Sequence, residues 1–256
     1  MSTVKQDTRT RDILGTSALR PDGVAKVMGS FSFSSDMWAE NMLWGATLRS
    51  PHPYARIISI DTTAALLISG VSAVITAQDV PGKATYGLIS ADQPVFASDF
   101  VRYMGEPVAA VAADHPETCR RALAAIIVNY EVLTPVVDPE LAMLVTTEQI
   151  HPDGNLIRHQ HILHGDPLIT SDITVEGNYT IGMQDQAFLG LEAAMAFPDL
   201  GGNGVELHIA TQWLHEDRGQ IAACLKLPED NVRLVLGGVG GAFGAREDIS
   251  LQVHCC

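Results

Sequence analysis

Positive charge is scarce in this sequence. Sixteen Lys and Arg stand against 30 Asp and Glu over 256 residues, a formal net charge of −14. A chain this acidic repels phosphate backbones and anionic lipid headgroups, which excludes nucleic acid and membrane surfaces as partners. Cysteine is scarce too. Cys119, Cys224, Cys255 and Cys256 contain no CxxC pair, which excludes zinc-ligand spacing, an iron–sulfur cysteine pattern and a disulfide framework. No run of 18 apolar residues appears, and the opening MSTVKQDTRTRDILG lacks the apolar centre of a secretory leader. The sequence therefore reads as cytoplasmic with reduced thiols, where the sequon Asn178-Tyr179-Thr180 is chemically idle. What is present is an ordered globular composition, 46% hydrophobic and 18% charged, long enough to bury one large core or two ordinary ones.

The polar stretch 1–20 reads as a flexible lead-in. From Asp22 onward, strand and helix signals alternate. Leu43–Leu48, Tyr54–Ile60 and Val71–Thr76 read as strands, the last two flanking a short helix, Thr62–Ile68, capped by Asp61 and ended by Gly70. Pro107–Ala113 is almost continuously apolar, as a strand buried on both faces requires. Asp114 and Pro116 are expected to open a helix that runs through Ala125, and residues 126–131 alternate as a further strand. Two strand–helix–strand units in this stretch indicate that residues 21–140 form one small α/β domain. Residues 141–170 carry little pattern and read as a linker. Its histidines, His151, His159, His161 and His164, match no metal-ligand spacing. Residues 171–256 read as β-rich. Ile173, Val175, Gly177 and Tyr179 alternate in one expected strand, and Val205, Leu207, Ile209 and Thr211 in another. A helix from His215 to Leu225 and a strand Val232–Leu236 follow.

That last strand runs into Gly237-Gly238-Val239-Gly240-Gly241-Ala242-Phe243-Gly244-Ala245-Arg246-Glu247. Glycines there permit positive φ and close backbone approach, so main-chain amides can face an oxyanion. A dinucleotide fingerprint starting at Gly238 would need glycine where Phe243 stands, and no Gly-Lys-Ser/Thr follows to make a P-loop. A tight turn with no ligand is the competing reading of the bare spacing. Two neighbours in sequence favour a site. Gln212 ends the preceding strand, and a buried neutral amide there can donate to a metal-oxo group without adding charge. Upstream, Gln186-Ala187-Phe188-Leu189-Gly190-Leu191-Glu192 precedes the small-residue run Ala193–Ala196.

Taken in order, these segments resemble the molybdopterin-binding large subunit of the xanthine dehydrogenase and aldehyde oxidase family. The resemblance rests on Arg20-Pro21-Asp22-Gly23-Val24-Ala25-Lys26-Val27-Met28-Gly29, on Leu48–Ile57 with its Arg49-Ser50-Pro51-His52 core, on Val101–Ala109 with Gly105-Glu106-Pro107-Val108, and on the glycine segment. It implies an α+β fold, with an α/β-hammerhead domain over 21–140 and the first part of a molybdenum-binding domain over 171–256. It also implies hydroxylation of a purine (xanthine or hypoxanthine) or a related N-heterocycle on molybdenum–molybdopterin, with [2Fe-2S] clusters and FAD on partner chains or domains. Gln212 would hydrogen-bond the metal-oxo group, and Gly241, Ala242, Phe243 and Gly244 would border the cofactor. Glu247 would contact the substrate, and no side chain of this chain would ligate the metal. Arg246 stands where many members have lysine, and the family's "EH-x-x-x-E-x" signature reads Asp185–Leu191 here, without its histidine. The resemblance places the general-base glutamate beyond residue 256, so the molybdenum-binding part is expected to be incomplete, and the chain to be inactive unless completed by that missing C-terminal part and by partner subunits. The apolar faces of Val205–Ile209 and Val232–Leu236 are then expected to be under-covered. A non-catalytic module that binds partner subunits without metal is the rival from another class, and aldehyde or nicotinate-type hydroxylation is the rival chemistry.

Overall fold

The computed structural model describes Gly15, Ser17 and residues 19–166, 168–199 and 201–256. In chain order the elements are α1 (Gly23–Val27), β1 (Trp44–Arg49), β2 (Ala55–Asp61), α2 (Thr63–Leu66), β3 (Val71–Thr76), β4 (Thr85–Tyr86), β5 (Gln93–Pro94), β6 (Phe100–Val101), β7 (Pro107–Ala113), α3 (Pro116–Ala125), β8 (Ile127–Val132), α4 (Pro139–Ala142), β9 (Ala194–Pro198), β10 (Val205–Ile209), α5 (Leu214–Leu225) and β11 (Val232–Leu236). The architecture is mixed α+β, as the sequence implies.

The apolar run of β7 sits at the centre of an antiparallel sheet, between β1 and β3. Alternate side chains enter different clusters, which is why both parities must be apolar. Ala109, Val111 and Ala113 pack with Ala65 of α2 and Ala122 of α3, whereas Val108 meets Ala97 and Val101. A second antiparallel sheet has the order β6-β2-β8. β2 and β3, joined by α2, therefore lie in different sheets and form no parallel crossover. α2 itself is shorter than expected, and Gly70 follows it at φ +93°. Asp114 does not cap α3. His115 does, its Nδ1 accepting the Glu117 N–H at 3.1 Å, while Asp114 donates its N–H to the Gly70 carbonyl at 2.9 Å. Glu106, 2% exposed, accepts the Arg102 N–H, which gives it a structural role inside this first unit.

The expected linker is partly built. Asp138 caps α4, and Asn155 ties the segment together, accepting the Ile150 N–H at 2.9 Å and donating to the Glu148 carbonyl at 2.8 Å. The Arg102 guanidinium reaches the Ile150 carbonyl at 3.2 Å. The strand expected over Ile173–Tyr179 does not form. Ile173, Val175 and Tyr179 are 79%, 89% and 92% exposed, and no neighbouring edge takes their backbone groups. Alternation alone does not make a strand without a partner. β9 takes the third place in the sheet instead, pairing antiparallel with β10, while β11 pairs parallel with β10 through the α5 crossover.

The two halves share a core. Tyr86, Phe96 and Ala110 from the first half pack in one cluster with Leu207, Ile209, Ile221 and Val232 from the second. The amides of Gly82 and Lys83 donate to the carbonyls of Cys224 and Ala223, each at 2.9 Å, satisfying the C-terminal end of α5. The expectation of under-covered faces is thus wrong for β10 and for the start of β11. Val205, Leu207, Ile209 and Val232 are buried, because α5 and the residues around Ile249 and Val253 lie over them. Among the described residues no helix is long and apolar enough to cross a membrane.

Candidate functional site

β10 and β11 run parallel with Ile209 opposite Leu236, so the chain segments leaving them emerge side by side. The carboxyl end of parallel strands is where α/β sheets bind ligands, because diverging loops leave a crevice there. The Gly237 N–H continues the pairing to the Ile209 carbonyl at 2.6 Å. On the β10 side, Thr211 Oγ1 accepts the Trp213 N–H at 3.0 Å and turns the chain into α5. Gln212, at the turn, donates its backbone N–H to the Arg246 carbonyl at 2.9 Å. Its side chain is exposed, not buried as expected for a strand-end amide.

On the β11 side, Phe33 makes a parallel bridge to Gly238, so a segment near the start of the chain underlies the glycine run. Gly240 crosses Gly190 in backbone contact. A Cβ on Gly240 would lie 2.5 Å from the Gly190 Cα, so this crossing admits only glycine. The upstream segment is thereby locked to the glycine run, a contact that sequence order does not show. Gly241 and Gly244 have φ of +118° and +86°, and Phe243 between them has φ +53°. A left-handed phenylalanine costs about 1–2 kcal/mol, and this one is 77% exposed. Strain carried by an exposed aromatic residue is a mark of functional segments. Glu247 follows on the same turn, exposed beside Gly244.

Arg246 is the residue that sequence reasoning underrated. Its side chain is 1% exposed and is the largest fully buried one in the described residues. Nε donates to the Gly241 carbonyl at 3.1 Å, Nη1 to Ala210 at 3.5 Å, and Nη2 to Gly190. The guanidinium also lies 4.4 Å from the centre of the Phe188 ring. One side chain thus joins the three segments that carry Gln212, the glycine run and Gly190. An arginine two residues beyond Phe-Gly reads as solvated, so only the fold reveals it. Asp217 was missed for the same reason, standing in the charged run His215-Glu216-Asp217-Arg218. It is 0% exposed, and neither carboxylate oxygen finds a hydrogen-bond partner. Burial, and then the nearby carboxylates of Asp248, Glu192 and Glu216, push it up from 3.8 to about 6, while Thr211 alongside opposes this. Glu192 is no free surface carboxylate. It accepts from Nε2 of Gln252, a residue 1% exposed, at 2.9 Å.

The residues suit an anionic, polar-edged group held by main chain. Among the described residues, the N–H groups of Gly241, Ala242, Phe243 and Gly244 find no acceptor, and the buried Arg246 has no carboxylate partner. Molybdopterin, with its negatively charged ligands and phosphate, is such a group. No set of three His, Cys, Asp or Glu among the described residues could hold a metal by itself, and His151, His159, His161 and His164 are exposed. Two half-open pockets lie elsewhere. One of about 230 Å³ is lined by Phe96, Cys224 and Val253, and one of about 260 Å³ by Tyr86, Glu216 and Gln220. The wall formed by Gln212, the glycine run and Glu247 is an open face.

Comparison with known proteins accords with this geometry. Residues 28–134 match the family model described as the aldehyde oxidase and xanthine dehydrogenase a/b hammerhead domain, and residues 150–256 match the molybdopterin cofactor-binding domain. A probable xanthine dehydrogenase subunit of Bacillus subtilis is 36% identical over 241 residues, covering 93% of this chain and 32% of that protein. The nicotinate dehydrogenase large molybdopterin subunit of Eubacterium barkeri is 35% identical over 246 residues, covering 95% of this chain and 58% of that one. Among solved structures, the aldehyde oxidoreductase from Desulfovibrio gigas superposes with a TM-score of 0.82 at 27% identity, over 92% of this chain and 28% of that one. The chain therefore spans between 28% and 58% of the length of these relatives.

Proposed function

Because the chain belongs to the aldehyde oxidase and xanthine dehydrogenase family, we propose that its Gln212 turn and glycine segment form one wall of a molybdenum–molybdopterin site that hydroxylates a purine such as xanthine or hypoxanthine. The observation that carries this reading is the convergence of the β10 end, Gly190 and Gly241 on the buried Arg246. When bound, the cofactor supplies the two-electron oxidation and delivers oxygen derived from water. The chain's own residues bind and orient. The exposed Gln212 amide would donate a neutral hydrogen bond at the crevice, and the N–H groups of Gly241 to Gly244, which find no acceptor among the described residues, would face the cofactor edge. The Glu247 carboxylate steadies a polarised ring nitrogen of the substrate, where a fixed charge does most for a developing one. [2Fe-2S] clusters and FAD on partner subunits or domains receive the electrons, in the reducing cytoplasm that the free cysteines suit.

A nicotinate-type ring is the second reading, favoured by the similarity to the Eubacterium barkeri protein. The test is co-expression with a polypeptide supplying the C-terminal remainder of the molybdenum-binding part, together with the partner subunits, in a molybdopterin-producing host. Metal analysis and pterin fluorescence then measure occupancy, and xanthine, hypoxanthine, nicotinate and an aldehyde are offered as substrates. Equal molybdenum and pterin with purine turnover are expected. Molybdenum and pterin no higher than the blank would leave the non-catalytic module as the answer, and a preference for aldehyde would remove the role of Glu247.

A further inference from the structure

We propose that Arg246 is a positioning residue of this site: it turns the Gly241–Ala242 peptide so that the Ala242 N–H faces the cofactor, and it strengthens that donor. The inference rests on the reading of the glycine segment as a cofactor wall. A guanidinium taken out of water without a counter-ion is costly, by several kcal/mol. Arg246 is 1% exposed, and among the described residues it ion-pairs with no carboxylate. Three carbonyls from three separate segments offset that cost: Gly241 at 3.1 Å from Nε, Ala210 at 3.5 Å from Nη1, and Gly190. Only a planar fork spans three such acceptors, since a lysine ammonium places its donors at one point.

The consequence for the ligand face follows from peptide geometry. No cis peptide occurs in the described residues, and in a planar trans peptide the C=O and the next N–H point in opposite directions. With the Gly241 carbonyl turned inward to Nε, the Ala242 N–H is turned outward, where it meets no acceptor. A carbonyl that accepts from a cation also loses electron density, which makes the N–H of the same peptide a stronger donor. Arg246 therefore sets both the direction and the strength of this amide, although it never touches the ligand itself. Its positive charge lies behind a wall read as facing an anion, with no acidic partner to neutralise it.

The test uses the 256-residue chain labelled with nitrogen-15, as wild type, Arg246→Lys and Arg246→Met. Amide shifts are recorded alone and during titration with molybdate, a tetrahedral oxyanion probe. The Ala242 amide of wild type is expected to move on titration. Arg246→Met should displace the ligand-free Ala242 signal while leaving the β7 and α3 signals in place, and weaken the molybdate response at least tenfold. Arg246→Lys, which keeps the charge and loses the fork, should fall between the two. Should Arg246→Met unfold, Arg246→Lys carries the comparison alone. An Ala242 signal identical in all three chains, or a wild-type Ala242 that ignores molybdate, overturns the role of Arg246. If Ala242 responds as expected but the co-expressed complex holds no molybdopterin, the proposed function falls and the role of Arg246 in orienting an anion-facing amide stands.

Discussion

Asp217→Asn should stabilise the chain at neutral pH and leave it unchanged near pH 4. The wild-type carboxyl is 0% exposed, with both oxygens lacking a hydrogen-bond partner. Burial first, then Asp248, Glu192 and Glu216, raise it from 3.8 to about 6. A raised carboxyl means that the folded chain binds the proton more tightly than the unfolded chain does. Stability therefore falls as pH rises from about 4 and levels off above about 6. A difference of about two pKa units, at about 1.4 kcal/mol per unit, sets the cost at pH 7.5 at about 3 kcal/mol. Asp217 lies in the first turn of α5, where the helix dipole favours an anion by only about 0.3–1 kcal/mol, so desolvation wins. Asparagine keeps the shape and removes the charge. Urea unfolding followed by tryptophan fluorescence, at pH 4, 6 and 7.5, gives the difference between variant and wild type. That difference should grow by about 2–3 kcal/mol across the range. An equal difference at pH 4 and 7.5, or a variant less stable at pH 7.5, would refute the reasoning.

His254 bends the pH profile of wild type the other way. It is held below its usual 6.5 chiefly by burial, although its Nε2 sits 2.8 Å from the Val95 carbonyl. The unfolded chain therefore takes up this proton first, and stability should drop as pH falls below about 6.5. In His254→Gln, read by the same urea series, that loss disappears while the Asp217 slope persists. Gly240→Ala drives a Cβ to 2.5 Å from the Gly190 Cα. It should cost about 1–3 kcal/mol by overpacking and abolish molybdopterin retention in the co-expressed complex, whereas Gly45→Ala, with nothing within 4 Å, should keep both near wild type. Glu247→Gln touches an exposed side chain, so thermal unfolding should stay within about 0.5 kcal/mol of wild type. Purine turnover by the complex should fall at least tenfold with cofactor content unchanged.

Much of the first half is legible from residues alone. β3 and β7 stand at the residues read from their apolar runs, and α3 begins at the Pro116 that marks its first turn. Each of these signals is local. β9 is not legible, because Ala194-Met195-Ala196-Phe197-Pro198 has no alternation of its own and becomes a strand only by pairing with β10. Ile173–Tyr179 has the alternation and no partner, and stays unpaired. The candidate wall divides in the same way. Gln212, Gly241, Ala242, Phe243, Gly244 and Glu247 can be picked out by residue type and resemblance. Arg246, Asp217 and the Gly190–Gly240 crossing cannot, because their importance comes from what surrounds them.

By itself, the sequence determined that this is an acidic α+β chain with the order of segments of a molybdopterin-binding protein, since composition, periodicity and motif spacing are properties of the chain read in line. Only the tertiary structure decided that a charged side chain beyond the glycine run is buried, and that three distant segments close on it. The reason is that burial, and with it the direction of a peptide, depends on neighbours far away in sequence. The two glycines at 190 and 240, where an added Cβ would come to 2.6 and 2.5 Å of the facing backbone, are where that decision is most tightly made.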